Sequence, residues 1–164
     1  MKFNKKSKGF TLIELLVVIA IIGLLATVVL VSVTNSRQKA RDVRRISDLR
    51  QITLALEMYA EANNRLYPDG GDGRTANGCN DWNAAVNGLT VIQPQYISAL
   101  PSDPTGTTPY AYESDGSDYV LRAQTERATE PSLAKDVDGT VLSCDCSDNN
   151  GVSPDANRYY CIKP

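Results

Sequence analysis

Residues 10–33, FTLIELLVVIAIIGLLATVVLVSV, form one apolar run with no polar face. From Leu15 to Val33 the only polar side chains are Thr27 and Ser32, and there is no charge. Nineteen such residues, at about 1.5 Å each, cover close to 30 Å of hydrocarbon. A removable secretory signal is the rival reading, but its apolar region is only about 7–15 residues and ends in a small-x-small cleavage site. Here the run is longer and passes unbroken into TNSRQKARDVRR.

Beyond the run, Ala40, Val43, Ile46, Leu49, Ile52, Leu56 and Tyr59 recur every three or four positions. That spacing predicts a helix with one apolar stripe against a core. The first proline is Pro68, and Gly23 is the only glycine between Phe10 and Asn63. One helix of about 50 residues, near 80 Å long, is therefore expected, apolar all round in front and amphipathic behind. A long coiled coil is the plainer alternative, but the front half lacks the polar face it requires. Asn63-Asn64 and Tyr67-Pro68-Asp69-Gly70-Gly71 end the helix, and residues 69–81 read as a loop. A short helix is expected within 82–100 and a turn at Pro101–Pro104. Tyr110–Glu113 and Tyr119–Thr125 read as strands joined around Asp115-Gly116, with Arg158–Ile162 as a third and 126–157 as a long polar loop. The fold class is α+β. One long N-terminal helix packs by its second half against a small antiparallel sheet, and a disulfide-stapled C-terminal loop follows.

Charge divides the chain further. Residues 1–9 carry four lysines and no acid, whereas residues 63–164 set seven Lys/Arg against fourteen Asp/Glu, a net of −7. An acidic head is a poor surface for phosphates, so nucleic acid is not expected as a direct partner. Cys79, Cys144, Cys146 and Cys161 all lie in this head, and four cysteines allow three pairings. Zinc is disfavoured, because Cys144-Asp145-Cys146 lacks the usual two-residue gap and the chain has no histidine. Disulfides place the head outside the cytoplasm. Cys144 and Cys146 are too close to bridge each other without strain, so each is expected to pair with Cys79 or Cys161. No Ser-His-Asp or Cys-His site can be assembled without histidine, and no phosphate-binding Gly-Lys loop occurs, so no enzyme is expected.

The most informative segment opens the apolar run: Lys8-Gly9-Phe10-Thr11-Leu12-Ile13-Glu14. A carboxylate in a spanning helix costs about 2.5–3.5 kcal/mol at the membrane centre and less near an end, which marks Glu14 as functional. KGFTLIELLVVIAIIGLLA resembles the N-terminal signal of type IV pilins and type II secretion pseudopilins. The resemblance implies that a prepilin peptidase cuts after Gly9 and methylates Phe10, and that Glu14 is the assembly glutamate. It implies residues 1–9 as leader, 10–33 as membrane and filament-core helix, 34–62 as its amphipathic continuation and 63–164 as head. The proline that the family carries within the spanning helix is absent, with Val31 at the matching place.

LEMYAEANNRLYP (56–68), YISALPSDP (96–104) and Pro109-Tyr110-Ala111-Tyr112 are similar to the helix exit and first strand of major pseudopilins. That likeness raises calcium as a candidate cofactor, with Asp136, Asp138, Asp145 and Asp148 as ligands. A solvated acidic loop is the simpler account of the same residues. The expected function is a structural subunit of a type IV pilus-like extracellular filament, held in the cytoplasmic membrane with its head outside before assembly. It would form a helical homo-oligomer on an inner-membrane platform driven by a separate ATPase. The alternatives are a major pseudopilin of a type II secretion system, a non-polymerising membrane-anchored binding module, and a secreted enzyme, for which the sequence offers no catalytic group.

Overall fold

The computed structural model describes residues 10–69, 79–81, 88–127, 132, 136–142, 144–146 and 158–164. A single helix, α1 (Leu12–Ala62, 51 residues), passes through the apolar run and the amphipathic segment without a break, Gly23 and Val31 included. By contact density the chain divides at Arg37 into an N-terminal unit and a head.

In the N-terminal unit every residue from Thr11 to Arg37 is exposed. Large apolar side chains point outward all round, from Leu12 at 88% exposure to Val33 at 41%. The hydroxyls of Thr27, Thr34 and Ser36 donate to the carbonyls of Leu24, Leu30 and Ser32 at 2.7, 3.0 and 2.9 Å. Back-bonding of this kind satisfies a hydroxyl within its own helix, which matters where no water is at hand.

In the head, Ile46, Leu49, Ile52 and Leu56 of α1 meet Leu89, Ile92, Tyr110, Tyr112, Tyr119 and Leu121 in one apolar cluster. Each fully buried side chain of this kind contributes about 1.5–3 kcal/mol. The expected stripe on α1 faces the core from Ile46 to Tyr59 and departs only at its start. Ala40 and Val43 are exposed, while Asp42 and Arg45 turn inward. At that level the sheet side presents carboxylates instead of apolar groups, so a charged pair fills the space.

Four strands, β1 (Asn80–Asp81), β2 (Ala111–Ser114), β3 (Tyr119–Gln124) and β6 (Tyr159–Ile162), form an antiparallel sheet in the order β1-β2-β3-β6. The β2–β3 hairpin turns where expected. Gly116 has φ 88°, and the Asp115 carboxylate accepts the N–H groups of Ser117 and Asp118. One face of the sheet packs on α1. The other carries Ala111, Val120 and Cys161 into a second cluster with Cys79, Cys144 and Cys146.

The short helix expected within 82–100 is a 3-10 turn, Gly88–Ile92, that drives Leu89 and Ile92 into the core. A Cβ at Gly88 would collide with the Asp69 carbonyl, so only glycine fits there. The expected 126–157 loop is not wholly irregular, since β4 (Thr140–Val141) and β5 (Cys144–Asp145) pair antiparallel within it. Likewise β1 falls within the expected 69–81 loop. Both departures are two-residue strands, too short for alternation to register.

Candidate functional site

Thr11 and Glu14 build the start of α1 together. The Glu14 carboxylate accepts the Thr11 N–H at 2.8 Å and the Thr11 hydroxyl at 2.7 Å, while the Glu14 N–H donates to Thr11 Oγ1 at 3.3 Å. This reciprocal arrangement is a capping box, which satisfies amides that the first helical turn leaves unpaired. The spacing Thr11-x-x-Glu14 before an apolar run is its sequence signature, which the reading of the sequence passed over. A negative charge at this end also opposes the positive pole of the helix. Phe10 is 74% exposed immediately before the cap. Gly9 and the leader lysines lie outside the described residues.

A second polar constellation lies in the head and was not anticipated. Arg45, 2% exposed, donates from Nε to Asp103 Oδ2 at 2.6 Å and from Nη1 to Asp42 Oδ1 at 2.7 Å and Glu126 Oε1 at 2.9 Å. Arg41 Nε reaches Glu126 Oε1 at 2.6 Å. Asp42 further accepts the backbone N–H groups of Glu126 and Arg127 at 2.8 and 3.2 Å. One turn of α1 thus holds the exit of β3 and the turn at Pro101–Pro104. Burial pushes the Asp103 carboxyl up, but Arg45 and Thr105 outweigh it and hold it below its ordinary value. Glu126 is likewise held low, first by its hydrogen bond to Arg41 and then by Arg45, against the cost of burial. With Asp42, Arg45 and Asp103 all buried, such a cluster fixes geometry.

The cysteines pair as Cys79–Cys144 and Cys146–Cys161, so neither adjacent cysteine bridges the other. The first bridge joins the segment before β1 to β5, and the second joins the end of β5 to β6. Among the candidate calcium ligands, Asp136 Oδ2 accepts the Cys161 N–H at 3.0 Å, Asp138 is exposed, and Asp145 lies in β5 opposite Thr140. Asp148 lies outside the described residues. Among the described residues no three acidic, Cys or His side chains converge as a metal site.

Residues 4–30 match the family described as the prokaryotic N-terminal methylation motif. The chain is also similar to curated proteins named type II secretion system core protein G. The Aeromonas hydrophila protein is 38% identical over 69% of this chain and 77% of its own length. The Escherichia coli K12 protein is 32% identical over 93% of this chain and 97% of its own. The Vibrio cholerae protein is 34% identical over 71% and 77%. No solved structure matches the chain. With a methylation motif at its N-terminus and similarity along nearly the whole length of a relative, the chain belongs to the type IV pilin and type II secretion pseudopilin family.

Proposed function

We propose that the mature chain is a structural pseudopilin subunit of a type II secretion system. It is stored in the cytoplasmic membrane with its head outside and extracted into a helical filament. The observation that carries this reading is the front of α1, apolar and exposed in every direction and opened by a capped glutamate. Such a surface is stable only in lipid or against other apolar helices. Membrane storage supplies the first environment, and a filament core made of the same segments supplies the second. Prepilin peptidase removes residues 1–9 and methylates Phe10, and a platform with its own ATPase drives extraction.

The expectation of a surface pilus has the weaker support, because relatives matched over more than two-thirds of their own length bear the secretion-system name. Deleting the gene is expected to abolish export of extracellular enzymes while leaving surface attachment and twitching intact. Overexpressed with its machinery, the chain should give sheared filaments whose subunit begins at methylated Phe10. Filaments absent from electron micrographs despite a processed, membrane-held chain would overturn the assembly reading. Intact export with lost attachment would return the chain to a pilus.

A further inference from the structure

On the part of α1 belonging to the head, Val43, Ser47, Arg50, Leu54, Glu57 and Glu61 succeed one another at intervals of four and three. All six are exposed, Val43 at 51% and Leu54 at 62%. Intervals of four and three are those of a seam between two helices. Charge is segregated along this row, with Arg50 near its middle and Glu57 and Glu61 at its C-terminal end. Arg50 and Lys163 border a cavity of about 310 Å³ together with Thr53, Tyr160 and Ile162. Asp136, whose carboxylate accepts the Cys161 N–H, also borders it. Glu57 accepts hydrogen bonds from the Tyr67 and Tyr119 hydroxyls. Among the described residues the side chains of Glu61, Arg50 and Lys163 have no hydrogen-bond or ion-pair partner.

We infer that this row is the contact between successive copies of the chain, with the Glu61 carboxylate of one copy seated in the Arg50–Lys163 cavity of the next. The inference rests on the filament reading above. Two parallel copies in register would bring Arg50 onto Arg50 and Glu61 onto Glu61. Sliding one copy along the helix axis by about eleven residues, roughly 16 Å, removes both clashes and sets acid against base. The same slide lays Leu54 of one copy against Val43 of the other, because both pairs share one separation. Eleven residues are close to three turns, so the two matched pairs stay on one face. A contact that joins different patches of two copies repeats without closing, as filament growth requires.

Carbodiimide treatment of wild-type filaments, followed by peptide mass spectrometry, reads the contact directly. A Glu61–Lys163 cross-link is expected in filaments and not in detergent-dispersed monomer. Reversing either charge, Arg50→Glu or Glu61→Arg, should lower filament yield about tenfold, since like charges then face each other. The doubly reversed chain should regain most of the loss. Leader cleavage and membrane level report that each variant is made normally. A wild type without filaments would overturn the filament reading and the inference together. Normal yields from the single reversals, or filaments without the cross-link, would overturn the inference alone.

Discussion

Arg45 and Asp103 meet across 58 residues of chain, Nε to Oδ2 at 2.6 Å, with only 3% of either side chain exposed. Removing Arg45 strands the buried Asp103, whereas Arg45 without Asp103 keeps Asp42 and Glu126. Arg45→Ala should therefore destabilise the head by about 3–5 kcal/mol, and Asp103→Ala by less. Urea denaturation of the detergent-dispersed chain measures it. Arg45→Met with Asp103→Leu should recover part of the loss, and no recovery would mean that the pair contributes more than its own desolvation.

The same cluster sets a pH dependence. Asp103 and Glu126 are held below their ordinary values of 3.8 and 4.5 in the folded head. A lowered carboxyl stabilises the fold above its unfolded value, and that contribution is lost as pH falls through the folded value. Head stability should be flat from neutrality to about pH 5 and decline below about pH 4. Thermal melts of Arg45→Met along the same pH series should decline less steeply.

At the start of α1 two accounts of Glu14 compete, the cap to Thr11 and a charge contact with the freed Phe10 amine of a neighbouring copy. Glu14→Ala removes both and should leave membrane insertion and leader cleavage intact while abolishing filaments. Glu14→Gln keeps an acceptor for the Thr11 N–H, since Gln also serves a capping box, but has no charge. Filament loss in both variants is the expected result. Normal filaments from Glu14→Gln in sheared fractions would assign the residue to capping.

The processing proposed above predicts that a bulky residue in place of Gly9 blocks the cut. Gly9→Leu should leave the leader attached and block filament formation, with the N-terminus read by mass spectrometry of the membrane fraction.

Both disulfides should matter, unequally. Cys79–Cys144 closes a separation of 65 residues and Cys146–Cys161 one of 15. Chain entropy alone assigns roughly 4 and 3 kcal/mol to loops of these sizes. Paired alanine substitutions followed by denaturation should show the larger loss for the first bridge.

What could be read from the sequence was what neighbouring residues decide among themselves. The apolar run needs no partner to be recognised, and Asp115-Gly116 between alternating strands marked its own turn. Glu14 stands out as a functional candidate because its cost in lipid is large, and its tie to Thr11 is equally local. The core-facing stripe of α1 was legible from Ile46 onward, but not at its first turn in the head. Asp42 and Arg45 lie off the apolar stripe in the sequence, and their partners Asp103 and Glu126, 58 to 84 residues away, make their burial tolerable. Val43 was displaced outward by the same circumstance. The pairing among four cysteines likewise depended on where β5 and β6 came to lie.

The two bridges have a consequence for survival among proteases. Each closes a covalent ring, one spanning positions 79 to 144 and the other 146 to 161, and only Asp145 lies between them. A single nick inside either ring leaves the polypeptide in one piece. From Cys79 to Cys161 only the two peptide bonds flanking Asp145 are exceptions. Asp145 is held there in β5, paired to Thr140, and its carbonyl accepts a hydrogen bond from Arg122. Within that stretch, the place where cutting would detach the C-terminal strand is thus kept in extended, hydrogen-bonded chain that a protease cannot readily draw into its cleft.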